Sequence, residues 1–333
     1  MAKYIIKRLL LAVFILLGVS LILYFIIRLM PANVIRDNYY ATHQNGGEFN
    51  EAELQAILDR YNLGDNSFKG ICYGWWKWIS AFVCGDFGVC LSNGMPVSEV
   101  IFQNMGVSFA VSFISLILEL IIAIPLGIKC ACNQYGKLDY TVTVLTMIGI
   151  SFPSFFFASI IIKIFAVDLG WFEVGGLTTP SLPMDSSPFT VFINQCWHLV
   201  LPIFVLTILS IGSMMRYTRT NTLEVLNADY IRTARAKGLS ENKVVYKHVF
   251  RNTLIPLVTT LAGILPGLFG GSMITEQMFS LPGIGNTAYQ LTQKGDIPFI
   301  MGYDMFIATL TVIGILLTDL MYALVDPRVK IGK

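Results

Sequence analysis

The stretch LLLAVFILLGVSLILYFIIRL, residues 9–29, decides the fold class of this chain. It is apolar as far as Arg28 and matches the roughly 20 residues that a helix needs to cross a ~30 Å hydrocarbon core. Lys3, Lys7 and Arg8 precede it, as in a secretory signal, but the run is longer than a signal core of about 7 to 15 residues, and no small-residue cleavage site follows. We therefore expect a retained first membrane span.

Five further apolar windows follow along the 333 residues: 107–128, 140–167, 197–217, 254–274 and 303–325. The chain is 55% hydrophobic and only 13% charged, whereas an ordinary soluble domain is about 25% charged. These features predict an all-α integral membrane protein with six transmembrane helices.

The positions of Lys and Arg orient the spans, because positive flanks resist translocation during insertion. With the N-terminus inside, most of the 23 Lys and Arg residues fall in internal segments, namely 1–8, 129–139, 216–253 and 326–333. Asp and Glu collect in the external segments. We expect a multi-pass protein of the cell membrane with both termini in the cytoplasm. Its basic side would face anionic lipid or a protein partner, and nucleic acid is not expected as a partner.

The largest external region, residues 31–106, is too long for a simple loop. Apolar residues recur at helical spacing in 51–61, and aromatic residues in 73–83 suit the membrane interface. The region predicts a small cap of short helices.

Cysteine and histidine placement predicts no metal site, because His43, His198 and His248 fall in different segments and no cluster has ligand spacing. Cys84 and Cys90 lie in the external region, where a disulfide is permitted, and they are the candidate pair. The alternative is that all six cysteines are small buried hydrophobes.

The internal loop before the fifth span contains the pattern of a short helix. Asp229 can cap a helix and Gly238 can end one, which frames 230–237 as about two turns. Such a helix is too short to stand alone and needs a partner surface. Ser240 is expected to cap a second helix, 241–251.

Two faces are predicted for this short helix. Ile231, Ala234 and Gly238 form a small face, and a basic rim surrounds it, formed by Arg232, Arg235 and Lys237. The pattern suits a helix that enters a groove on a partner. The alternative is a basic loop that only fixes topology.

Polar and small residues inside the spans are further candidates, since intramembrane charge is costly. Glu119 could face the transport pathway or form a buried hydrogen bond, and Asp319 is expected to pair with a basic group. Gly263, Gly267 and Gly271 form a stripe that predicts close packing on another helix, with bending at Pro266 as the alternative.

A turn follows the fifth window directly. Pro282, Gly283 and Gly285, together with Glu276 and Phe279, suggest an external turn that folds back over the pore. We name these residues as a candidate outer gate, and the alternative is an ordinary surface turn.

Residues 229–240, DYIRTARAKGLS, resemble the cytoplasmic coupling motif of ABC importer permeases, in which Glu-Ala-Ala is followed three residues later by Gly. The triplet here is Thr233, Ala234 and Arg235 with Gly238, so the acidic residue and one Ala are missing. Other stretches are similar to the B-type subunit of the oligopeptide, dipeptide and nickel branch of that family: KYIIKRLL at 3–10, GDFG at 85–88, SFPSF at 151–155, LGW at 169–171, RYTR at 216–219, EQMF at 276–279 and DPR at 326–328.

The resemblance implies a type I importer fold in three parts: the N-terminus and first span at 1–30, the cap at 31–106, and a five-helix permease core at 107–333 with its coupling segment at 218–253. It also implies half of a pathway for oligopeptides or dipeptides. Expected partners are a second, C-type permease subunit, two ABC ATPases and an extracytoplasmic binding protein. The residues expected to contact the ATPase are Asp229, Tyr230, Arg232, Ala234, Arg235, Lys237, Gly238, Leu239 and Ser240.

The chain carries no G-x-x-x-x-G-K-[S/T] phosphate loop. We therefore expect a transport subunit rather than an enzyme, without a cofactor of its own, whose partner ATPases bind ATP and Mg. PANV at 31–34 departs from the Pro-Gly-Asp-Pro of the family and leaves the substrate open. The alternatives are nickel or nickel-chelate import, a proton-coupled carrier using Glu119, and a membrane scaffold or sensor.

Overall fold

The computed structural model describes residues 2–29, 52, 55, 59, 61–62, 65 and 67–325, and most of this part of the chain is helical. The helices are α1 (Ala2–Leu29), α2 (Phe68–Val83), α3 (Val97–Cys132), α4 (Lys137–Ser151), α5 (Ser154–Ile161), α6 (Pro188–Leu226), α7 (Asp229–Ala236), α8 (Glu241–Lys243), α9 (Phe250–Gly270), α10 (Met273–Met278), α11 (Ile284–Gln293) and α12 (Ile297–Val325). Two π-helical segments, Ile162–Asp168 and Val244–Val249, continue α5 and α8.

Several of these helices could cross a membrane. Within the described residues, α1, α3, α6 and α12 are long and apolar enough, and the pair α4 and α5 would add a fifth span if it crosses as one unit. α9 covers most of the fifth predicted window and has 21 residues, about 31 Å of helix. The count of six spans stays a prediction.

The third predicted window, 140–167, is not one straight helix. It breaks between Ser151 and Ser154, and its two halves meet at 100°. Pro153 is the physical reason, because a proline excludes the helical conformation from the residue before it. Phe152 accordingly has an extended backbone, with φ −78° and ψ 131°.

α3 and α6 form the centre of the bundle and pack more extensively on each other than any other pair of helices. Their 36 and 39 residues correspond to about 54 and 58 Å, so both extend well beyond a ~30 Å core. The axes approach closely at Gly127, where an added Cβ would lie 2.8 Å from the carbonyl oxygen of Met215. Small residues allow such contacts between membrane helices.

We call the end of the bundle near residues 67–96 the cap side, and the end near residues 227–243 the coupling side. The cap differs from the prediction in its boundary with α3. Residues 97–106 belong to the continuous helix α3 rather than to a separate cap, and the predicted helix 51–61 lies largely outside the described residues. α2 is the described cap helix, and it begins where the Ser67 hydroxyl accepts a hydrogen bond from the Gly70 N–H.

The predicted Cys84–Cys90 disulfide is wrong for this structure. All six cysteines lie within the described residues and are free thiols. Cys84 ends α2 and is exposed, whereas Cys90 is buried among apolar residues that include Val97 and Ile101. Burial raises the pKa of the Cys90 thiol to about 12, and nearby Asp296 acts in the same direction.

Candidate functional site

α7 is the short helix predicted on the coupling side. Its N-cap residue is Ala228 rather than Asp229, and no side-chain hydrogen bond caps it. Asp229 instead occupies the first turn, where its charge favours the helix N-terminus. Gly238 follows the helix with φ +74°, a conformation in which glycine carries no Cβ penalty.

The small face of α7 turns inward, onto its own chain. Ile231 and Ala234 are buried against Val244, Val249 and partly buried neighbours, whereas Gly238 is exposed with open space around it. The sequence identified the apolar face, but the groove that receives it is intramolecular. A partner can therefore meet only the opposite, exposed face of α7.

That exposed face is polar and basic. It carries Asp229, Tyr230, Arg232, Arg235 and Lys237, with exposed Ser240 and half-buried Leu239 following the helix. Arg232 lies 3.6 Å from the Asp229 carboxylate, and both side chains are largely exposed.

The connection from α7 into α9 is partly non-α-helical. Arg235 forms a two-pronged ion pair with Glu241, with its closest contact at 2.6 Å, which joins α7 to α8. This hydrogen-bonded ion pair lowers the pKa of Glu241. Ser240 precedes α8 without a side-chain capping bond. The predicted helix 241–251 then runs as a π-helix at Val244–Val249 before α9 begins, and π segments frequently occur at functional sites.

A buried ion pair on the coupling side was missed by the sequence analysis. Arg219 in α6 donates from Nε and Nη2 to the two carboxylate oxygens of Asp139 in α4, at 2.6 and 2.8 Å. The Tyr135 N–H donates to the same carboxylate at 2.9 Å. Asp139 is 5% exposed and Arg219 21%. This pair fixes the α3–α4 turn to the part of α6 that leads into α7.

The outer turn, residues 271–286, folds back into the bundle around Glu276. The Glu276 side chain is 1% exposed. Its Oε1 accepts hydrogen bonds from the Ser108 hydroxyl at 2.7 Å and the Ser272 N–H at 3.1 Å, and its Oε2 accepts one from the Asn286 N–H at 2.9 Å. Ser108 in turn accepts from the Ile284 N–H at 2.8 Å. The turn is thereby tied to α3.

Three glycines make this arrangement possible. A Cβ at Gly271 would lie 2.6 Å from Glu276 Oε1, and one at Gly285 would lie 2.9 Å from the Met273 nitrogen. A Cβ at Gly283 would overlap the Glu276 carboxylate. Each position requires the absence of a side chain, because interiors are close-packed.

Phe279 links the outer turn to the loop before α6. Its side chain is buried in a cluster with Ala158, Ile161 and Leu201, and its carbonyl oxygen accepts from the Gly176 N–H at 2.8 Å. His198 holds that loop, with Nδ1 2.9 Å from the Gly176 carbonyl oxygen and Nε2 3.0 Å from the Thr179 hydroxyl.

The other predicted turn residues differ in burial. Pro282 is exposed, while Gly283 and Gly285 are buried. Of the candidate gate residues, Glu276, Gly283 and Gly285 therefore meet, and Pro282 lies at the edge of the group.

The remaining candidates do not gather at this site. Glu119 of α3 is 8% exposed and lies near Ser210 of α6, so it is buried between these two helices. A Cβ at Gly263 or Gly267 would meet nothing within 4 Å, so that face of α9 is open, whereas Gly271 lies in the outer turn.

The predicted ion pair of Asp319 is confirmed, with Arg8 as its partner at 2.9 Å. Within the described residues, no three His, Cys, Asp or Glu side chains are grouped as a metal site would need. His43 lies outside them.

Comparison with known proteins gives consistent matches. The family model described as "Binding-protein-dependent transport system inner membrane component" matches residues 123–331. The oligopeptide transport system permease protein AppB of Bacillus subtilis is 38% identical over 331 residues, which is 99% of this chain and all of the relative. The dipeptide transport system permease protein DppB of Alkalihalophilus pseudofirmus is 33% identical over 343 residues, covering 99% and 100%, and DppB of Bacillus subtilis is 31% identical over 335 residues, covering 100% and 99%.

The matched region begins inside α3 and includes both the coupling segment and the outer turn, and the full-length relatives add α1 and the cap. The chain therefore belongs to the family of inner membrane components of binding-protein-dependent transport systems.

Proposed function

We propose that this chain is the permease subunit of an ATP-driven importer and forms half of a translocation pathway for oligopeptides or dipeptides. The names of its relatives, matched over the length of both chains, support a peptide substrate. A second permease subunit would complete the pathway, two ATPases would bind ATP and Mg, and an extracytoplasmic binding protein would deliver the peptide. The topology in this proposal has six spans, with both termini in the cytoplasm.

The observation that carries the proposal is the setting of α7. Its apolar face is used within the chain, its basic face is exposed, and it leads through the π segment directly into α9. A helix held in this way can transmit a rigid-body displacement from an ATPase to the bundle. Alternating access then requires only that ATP and the loaded binding protein favour different conformations, since a ligand shifts an equilibrium by its differential affinity.

The other sites have corresponding roles in the proposal. The outer turn acts as the gate on the cap side, closed here through Glu276 and Ser108. The open face at Gly263 and Gly267 supplies close packing against the second permease.

Arg235→Glu combined with Gly238→Pro tests the coupling role. The first change removes the ion pair with Glu241 and reverses a charge on the exposed face, and proline cannot adopt the φ of +74° at position 238. In the assembled complex, substrate-stimulated ATP hydrolysis should be lost while the subunits still co-purify. Lys294→Glu, an exposed charge reversal on the cap side, is the matched control. Unchanged stimulation in the double variant would contradict the proposal.

A disulfide tests the gate. Ser108→Cys and Ile284→Cys place thiols at positions already joined by a hydrogen bond. Oxidation should abolish uptake, a reducing agent should restore it, and assembly should be unaffected. Normal uptake by the oxidised protein would refute the gate assignment.

Nickel or nickel-chelate import is the second candidate within the same fold. Mass analysis of the ligand that co-purifies with the binding protein would distinguish it from peptide. A proton-coupled carrier would transport without an ATPase, so uptake by the chain in vesicles without ATPase subunits would favour that alternative.

A further inference from the structure

α2 exposes two stripes of opposite character. At about 100° per residue, Phe68, Cys72, Trp76 and Val83 fall within an arc of about 80°, and all four are exposed. Lys69, Tyr73, Lys77 and Ser80 occupy the adjacent arc and are also exposed. The opposite face, with Gly70, Gly74 and Trp78, is buried, and so is Ile79, which falls within the apolar arc. The exposed surface of α2 is therefore apolar on one side and polar on the other, and the apolar side is interrupted at Ile79.

The apolar stripe lies on the side of α2 that contacts the deeper part of α1. Trp75, which borders this stripe, donates its indole N–H to the Ser20 hydroxyl at 3.0 Å. Ser20 precedes Leu29, the end of the apolar α1 segment, by nine residues, so this contact lies about 14 Å below that end. At the same depth, α1 leaves Leu21 and Ile22 exposed for a bilayer to cover.

The polar stripe lies on the opposite, outward side. Lys77 donates to the carbonyl oxygen of Asp59 at 3.0 Å. Of the buried positions next to this edge, Gly70 lies against Asp65 and Gly74 lies against Tyr61, both in the segment before α2, and Gly74 also lies against Tyr24 of α1. From the Trp75 edge of α2 to its Lys77 edge, the exposed side chains therefore change from apolar to polar and lie further from the membrane interior.

We propose that α2 is an interfacial helix that lies in the outer leaflet of the membrane, and that its exposed face binds phospholipid. The apolar stripe enters the acyl boundary, and Lys69 and Lys77 lie at the level of the lipid phosphates. This arrangement matches the known behaviour of amphipathic helices, whose apolar face is buried about 5–10 Å into the headgroup and acyl boundary. Trp and Tyr are enriched at that level for the same reason. α2 is thus a membrane-bound support for α1 and α12 rather than a cap in water.

Depth measurement with nitroxide labels tests the proposal, beginning with the native Cys72 of α2. The full chain with Cys84→Ser, Cys132→Ser and Cys196→Ser leaves Cys72 as its exposed thiol, because Cys90 and Cys130 are buried. The protein is reconstituted in vesicles of phosphatidylethanolamine and phosphatidylglycerol. Collision rates with oxygen and with a water-soluble nickel chelate then give the depth of the label.

The label at Cys72 should lie about 5–10 Å below the phosphates. A second variant, with Cys72→Ala and Ser80→Cys, moves the label to the polar stripe and should report the phosphate level or water. Ile22→Cys and Tyr135→Cys in the Cys72→Ala background give the lipid and water references. Equal nickel-chelate access at positions 72 and 80 would overturn the proposal. So would shielding of position 72 by added binding protein, because the face would then dock a protein.

Discussion

Gly283→Ala is the most direct perturbation of the outer turn. The φ of Gly283 is −98°, so alanine introduces no backbone strain, and its effect is steric. The new Cβ would lie 2.5 Å from the Glu276 carboxyl carbon and 2.7 Å from the Ser108 hydroxyl oxygen. Both groups are fixed by hydrogen bonds to each other and to the turn. The added methyl can therefore be accommodated only if the turn rearranges around Glu276 and moves away from Ser108 on α3.

Overpacking of this kind costs about 1–3 kcal/mol. If the cost falls on the closed turn, the opening equilibrium shifts by about 5- to 150-fold. Hydrogen–deuterium exchange measures this shift, since the Ile284 and Asn286 N–H groups are bonded to Ser108 and Glu276. Their protection factors should fall by that ratio.

Gly106→Ala is the control, because a Cβ there meets nothing within 4 Å. It adds the same methyl group to α3 and should leave exchange in the turn unchanged. If Gly283→Ala also leaves the protection of Ile284 and Asn286 unchanged, the turn is not held by this packing, and its assignment as a closed gate fails.

Three other predictions follow from local chemistry. Asp139→Asn should destabilise the protein by about 3–5 kcal/mol, because it leaves the Arg219 guanidinium partly buried without its counter-charge; a fall in the thermal midpoint measures this, and the charge exchange Asp139→Arg with Arg219→Asp should recover part of it if the ion pair is the cause. Maleimide at pH 8 should label exposed Cys84 but not Cys90, whose pKa is raised to about 12; mass mapping that finds both labelled equally would refute the buried placement. The ion pair with Arg235 lowers the pKa of Glu241. Its contribution to folding stability is therefore complete above the unfolded pKa of about 4.3 and is lost as pH falls through the lower pKa of the folded state. The amide-hydrogen protection of residues 236–243 should accordingly show no transition from pH 8 to 5.

Local patterns predicted the local features well. Apolar windows located the long helices, since a span needs a continuous run of about 20 residues. Gly238 ended α7 as expected, because its positive φ is a property of one residue. Pro153 could have signalled the break in the third window, and the apolar character of 140–167 outweighed it.

Contacts between distant residues could not be read in the same way. Ser108 and Glu276 are 168 positions apart, and Arg219 and Asp139 are 80 apart. A serine in a span or an arginine at its end carries no local sign of its partner. Likewise, the sequence identified the apolar face of α7, but the surface that covers it is set by the π segment and the end of α6.

One continuous helical segment joins the coupling side to the outer turn, and its number of residues fixes its length. From Glu241 to Gly270 the chain is helical without interruption, and Gly271 then contacts Glu276 directly. Deleting one residue within 250–270 would rotate everything beyond it by about 100° and shorten the path by about 1.5 Å. Gly271 and Glu276 would then move together out of register with Ser108 on α3, while α7 kept its place. Insertions and deletions in α9 should therefore be tolerated far less than substitutions of its side chains.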